Sequence, residues 1–107
     1  MRRVELIYDP DCPNARAARE QLLRAFAALG LSPEWKEWSS DDPAMPAHAR
    51  GYASPTILVE GQDVSGAEPI DGAASCRIYA TSDGLGGVPT IEDIVSALSA
   101  GQRLRWS

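Results

Sequence analysis

The sequence predicts a single α/β domain, one mixed four-stranded sheet in the order β-α-β-β-β-α with helices packed on it. Three observations predict it. A short apolar run, Val4-Glu5-Leu6-Ile7-Tyr8, is followed by a stretch with apolar residues at helical spacing. A second apolar run, Thr56-Ile57-Leu58-Val59-Glu60, leads into a glycine turn and a short return. A second amphipathic stretch then begins at Thr90. A strand–helix–strand crossover is right-handed and pairs its strands in parallel, whereas a hairpin pairs them antiparallel. Together they require a mixed sheet.

Each element has its own local reason. Val4–Tyr8 is β-rich and reads as a strand buried on both faces, stopped by Asp9-Pro10 because proline donates no ladder hydrogen bond. Ala15, Ala18, Leu22, Phe26 and Leu29 recur at spacings of three and four and form one face of a helix. Gly30 suits its left-handed cap, and Pro33 lies just beyond. Pro13 suits the first helical position, which puts Cys12 at or beside the N-cap. Glu34–Trp38 reads as the second strand, with Trp35 and Trp38 on opposite faces. Residues 39–54 form a polar connector with one helical turn around Ala47–Arg50. Gly61-Gln62 fits a two-residue hairpin turn with glycine first, so Asp63-Val64-Ser65 returns antiparallel. Residues 66–88 are long, irregular and glycine-rich, with a short strand at Cys76-Arg77-Ile78-Tyr79. The last helix takes Thr90 as N-cap and Asp93 as the acidic partner of a capping box. It buries Ile91, Ile94, Val95 and Leu98 and ends at Gly101, leaving 102–107 as a loose tail.

Composition bounds the function. The 107 residues suit one domain, and 44% apolar with 23% charged is ordinary for a soluble chain. A net charge of −5 offers no basic stripe to track a phosphate backbone, which argues against a nucleic-acid partner. No segment reaches the roughly 18 apolar residues of a membrane span. The start, MRRVELIYDPDC, lacks the apolar core of a secretory signal. The expected compartment is therefore the cytoplasm, where two cysteines stay reduced unless they are catalytic, redox-sensing or metal-bound.

The chemistry gathers at "DCPNA", residues 11–15. A thiol of ordinary pKa is only about 3% thiolate at neutral pH. A helix N-terminus stabilises the thiolate by about 0.3–1 kcal/mol, and up to about 2 when partly buried. Asp9 and Asp11 oppose this, so moderate acidification of Cys12 is expected. The alternative is a small core residue. Core cysteines sit inside a strand or on a helix stripe, and this one sits at a junction, which favours a functional role.

From Val4 to Ala100 the layout resembles the thioredoxin superfamily. The features that carry the resemblance are the strand–"DCPNA"–helix junction, "SPTILVEGQDVSG" at 54–66, and the terminal amphipathic helix. More narrowly, "CPN … SPT … SCRIY" is similar to small bacterial thioredoxin- or glutaredoxin-like proteins, some carrying a mercury-resistance or alkylmercury-lyase label. The resemblance implies that Cys12 is the nucleophile and that Pro55 is a cis-proline flanked by Ser54 and Thr56. With Pro13 these residues form the substrate-binding set. Exposed backbone at Ser54 would then pair with a protein or small-molecule disulfide.

Ala15 stands where the family's resolving cysteine would be. Three readings follow. Cys76 resolves the mixed disulfide; or glutathione does, as co-substrate, with "GGVPT" resembling the segment that holds one of its carboxylates; or the domain is a non-catalytic module on the same fold, in which Cys12 and Cys76 grip a soft ion such as mercury or copper or which binds a protein. Cys76 read by itself is equally a buried strand residue. His48, the only histidine, reads as solvated, Asp41-Asp42 as a turn, and the tryptophans Trp35, Trp38 and Trp106 as packing rather than a peptide-contact surface.

Overall fold

The computed structural model describes residues 3–66, 79–81 and 84–105. Its centre is the expected mixed four-stranded sheet, in the order β2-β1-β3-β4. Strand β1 (Val4–Tyr8) pairs in parallel with β2 (Lys36–Ser39) and antiparallel with β3 (Thr56–Val59). Strand β4 (Gln62–Asp63) completes the hairpin. A separate two-stranded hairpin, β5 (Tyr79–Thr81) and β6 (Gly84–Gly86), lies within the stretch expected to be irregular. The expected strand at Cys76–Tyr79 falls outside the described residues except for Tyr79, which opens β5.

Helix α1 (Ala15–Ala28) and helix α2 (Ile91–Arg105) share one face of the sheet. Alternation along the strands decides which residues face them. Val4 and Leu6 of β1 and Ile57 and Val59 of β3 pack with Ala18, Leu22, Ala25, Phe26, Ile94 and Leu98. Leu22 is fully buried, worth about 1.5–3 kcal/mol. Among the described residues the opposite face carries no α-helix. There Ile7 and Leu58 pack with Met45 and Ala49 of the connector, and a 3-10 turn at Ala47–Ala49 matches the expected helical turn.

Local signals explain the ends. Gly30 at φ +67 closes α1: the Leu31 N–H donates to the Phe26 carbonyl (2.9 Å) and the Gly30 N–H to Ala27 (3.1 Å). Thr90 caps α2, its hydroxyl accepting from the Asp93 N–H at 3.1 Å. Three expectations are corrected. Strand β2 begins at Lys36, because Trp35 leaves the strand to stack on Phe26, ring centroids 6.1 Å apart. The hairpin turn is Glu60-Gly61, one residue earlier than expected, with both residues at positive φ, 53° and 80°. Helix α2 runs past Gly101 to Arg105. One glycine costs a helix only about 1 kcal/mol, and no proline follows it. No helix among the described residues is long and apolar enough to cross a membrane.

Candidate functional site

Antiparallel pairing of β1 with β3 places the beginning of β3 beside the end of β1: Ile7 stands opposite Thr56. The junction after β1 and the segment before β3 therefore meet. On one side, the Cys12 N–H donates to the Asp9 carbonyl at 2.9 Å and the Asp11 N–H to Asp9 Oδ1 at 2.9 Å, a tight aspartate turn. On the other, the Ser54–Pro55 peptide is cis. Between them, Cys12 Sγ lies 3.9 Å from the Ser54 carbonyl oxygen, within the reach of a sulfur hydrogen bond. The expected cysteine–cis-proline pairing is thus present, with Thr56 next in line and its hydroxyl donating to the Ala53 carbonyl.

Two expectations at this site are corrected. The helix cap is Asn14, and the Ala15 N–H already reaches back to the Cys12 carbonyl at 3.4 Å. Cys12 therefore stands two residues ahead of the cap and Pro13 one ahead. A macrodipole acts mainly within the first turn, so its hold on the sulfur is weaker than expected. The sulfur does not lie open either. Cys12 is 6% exposed, Ser54 2%, and Pro55 and Thr56 are fully buried, while Pro13 is exposed. The Ser54 hydroxyl is also buried and finds no hydrogen-bond partner among the described residues. Such a group costs about 1–3 kcal/mol. Cys76 lies outside the described residues.

The "GGVPT" segment runs along α1. A Cβ at Gly87 would stand 2.1 Å from Asn14 Nδ2, so the loop backbone is pressed against the Asn14 side chain. One turn and more along the helix, Gln21 Nε2 donates to the Pro89 carbonyl at 3.2 Å. The loop is thereby docked at the same end of α1 as Cys12. Nearby, Arg19 forms a two-pronged bond to Glu37, at 2.9 and 3.0 Å, and lies over the Tyr8 ring at 5.1 Å. The bond to Arg19 holds the Glu37 carboxyl below its ordinary value, and the bond to Glu37 raises that of Arg19.

Sequence reasoning missed a second polar centre. Glu5, the second residue of β1, has a side chain only 2% exposed. His48 Nε2 lies 2.9 Å from each of its carboxylate oxygens, Trp38 Nε1 donates to Oε2 at 2.8 Å, and Arg3 Nε lies 3.6 Å from Oε1. His48 is thus held, not simply solvated. The available signal was a lone charged residue inside a strand read as buried on both faces. Trp38 and Trp35 both serve packing, as expected, and Trp106 lies outside the described residues.

The fold and site define a mixed α/β domain whose thiol is seated against the residue preceding a cis-proline. Comparison with protein-family models, with curated proteins and with solved structures returns no match.

Proposed function

We propose that this is a thioredoxin-like domain that carries out thiol–disulfide exchange or redox sensing with Cys12 as nucleophile. One observation carries the reading: the 3.9 Å contact between Cys12 Sγ and the carbonyl of Ser54, directly before cis-Pro55. A carbonyl that accepts from the thiol is also the group a substrate backbone N–H would take over by β-pairing. The buried Ser54 hydroxyl, which finds no partner among the described residues, would supply a further bond to a substrate admitted beside Cys12.

The Cys12 thiol first loses its proton to solvent. The thiolate then attacks one sulfur of a disulfide, the sulfur–sulfur bond breaks, and the other sulfur leaves as a thiolate. A second thiolate, from Cys76 or from glutathione, attacks the mixed disulfide. Cys12 is released reduced when glutathione attacks the substrate's sulfur, and oxidised with Cys76 when Cys76 attacks that of Cys12. Because Cys12 is buried and meets the Ser54 carbonyl, attack requires the site to open and this contact to yield first.

The test is thiol labelling with mass spectrometry after mild oxidation, with disulfide-reductase turnover measured for the wild type and Cys12→Ser. The expected result is a Cys12–Cys76 disulfide or a glutathione adduct on Cys12, and turnover lost in the variant. No adduct and no turnover would refute the reading. Stoichiometric mercury(II) uptake without turnover would replace it with the soft-ion alternative.

A further inference from the structure

A buried charged contact is often no more stabilising than apolar residues of the same volume, so stability alone does not explain the polar centre at Glu5. Its placement is the informative feature. It lies on the sheet face away from α1 and α2, beside the apolar cluster of Ile7, Met45, Ala49 and Leu58. Its partners come from the two segments flanking that face: Trp38 from β2 and His48 from the 3-10 turn. The connector then continues from His48 through the buried Ala49 to Ser54, whose carbonyl oxygen lies 3.9 Å from Cys12 Sγ.

We propose that Glu5 is a positioning residue for the thiol: by gripping His48 it holds the 40–53 connector on the sheet and so keeps the Ser54 carbonyl over Cys12. The carboxylate is the fixed part, built into the central strand and bonded to Trp38. His48, with a side chain 37% exposed, is the part that lets go. When it does, the connector lifts and the sulfur opens. The catalytic consequence rests on the exchange reading above; the coupling between the Glu5–His48 contact and Cys12 exposure does not.

The experiment measures the alkylation rate of Cys12 by iodoacetamide in the native protein. His48→Ala, Glu5→Gln, the double variant and His48→Gln are compared with wild type, beside Leu98→Ala, which damages the opposite cluster. Alkylation through local opening tracks the open population. His48→Ala and Glu5→Gln are each expected to raise the rate about tenfold, the scale of one lost charge-assisted bond. The double variant is expected to add little, because both changes break the Glu5–His48 contact, while the one oxygen left by Glu5→Gln stays with Trp38 Nε1. His48→Gln, which retains a donor, is expected to restore much of the protection. Leu98→Ala is expected to lower the melting temperature without raising the rate. Rates that follow melting temperature alone, additive effects of the two single changes, or no change in His48→Ala would overturn the proposal. Should Glu5→Gln fail to fold, the two His48 variants decide. If the wild type shows no exchange chemistry but the rates behave as expected, the functional reading falls and the coupling stands.

Discussion

Replacing Gly87 by alanine should destabilise the domain, and removing the Asn14 side chain should cancel the cost. The new Cβ would stand 2.1 Å from Asn14 Nδ2 and 2.5 Å from Cγ. Ordinary contacts lie near 3.5–4.0 Å, so the amide must retreat by more than about 1 Å or the loop must shift. Asn14 is half-buried and the obstructing amide ends its side chain, so the cost is about 1 kcal/mol, the low end for overpacking. Against it, alanine restricts the unfolded chain and returns about 0.4–1 kcal/mol. The net expectation for Gly87→Ala is a loss of up to about 0.6 kcal/mol. Asn14→Ala alone should cost little, because Asn14 makes no side-chain capping bond. In that background the obstruction is absent, and Gly87→Ala should be neutral or mildly stabilising. Urea denaturation of the four proteins, with midpoints compared at constant slope, measures the coupling. Additivity within about 0.5 kcal/mol would refute the contact, and with it the docking of this loop at the thiol end of α1.

Two other expectations follow from the packing and the charges. Leu22→Ala, at a fully buried position of the helix-side cluster, should cost about 2–5 kcal/mol in thermal or urea unfolding; a loss below about 1 would contradict that burial. The Arg19–Glu37 bond lies in partly exposed side chains and is worth under about 1 kcal/mol. Because the folded state lowers the Glu37 pKa, this stabilisation is present above the unfolded carboxylate value of about 4.3 and is lost as pH falls through the lower folded value. The stability difference between wild type and Glu37→Gln should therefore shrink in acid; a difference unchanged down to pH about 2 would contradict it.

What was legible in the sequence was local. The stripe of α1, its glycine cap and the Thr90 cap are each written within a few neighbouring residues, and each was found. The hairpin slipped by one residue for a non-local reason. Glu60 adopts a positive φ while its carboxylate and N–H bond the Arg3 backbone at 2.9 and 2.8 Å, from the far end of the chain. The proline junction and the cysteine junction could be read separately, and strand order then brought them together. That the thiol is covered could not be read, because the cover comes from packing. The Glu5–His48 contact was illegible for the same cause: its partners are 43 positions apart and share no motif.

That covering has a consequence during biosynthesis. The carbonyl that meets the sulfur belongs to a residue 42 positions later in the chain. At about 5–20 residues per second, a ribosome takes roughly 2–8 s to deliver it. Through that interval each nascent copy presents a bare thiol to the oxidants and electrophiles around it, and the mature fold gains its shield only when the second half of the sheet arrives.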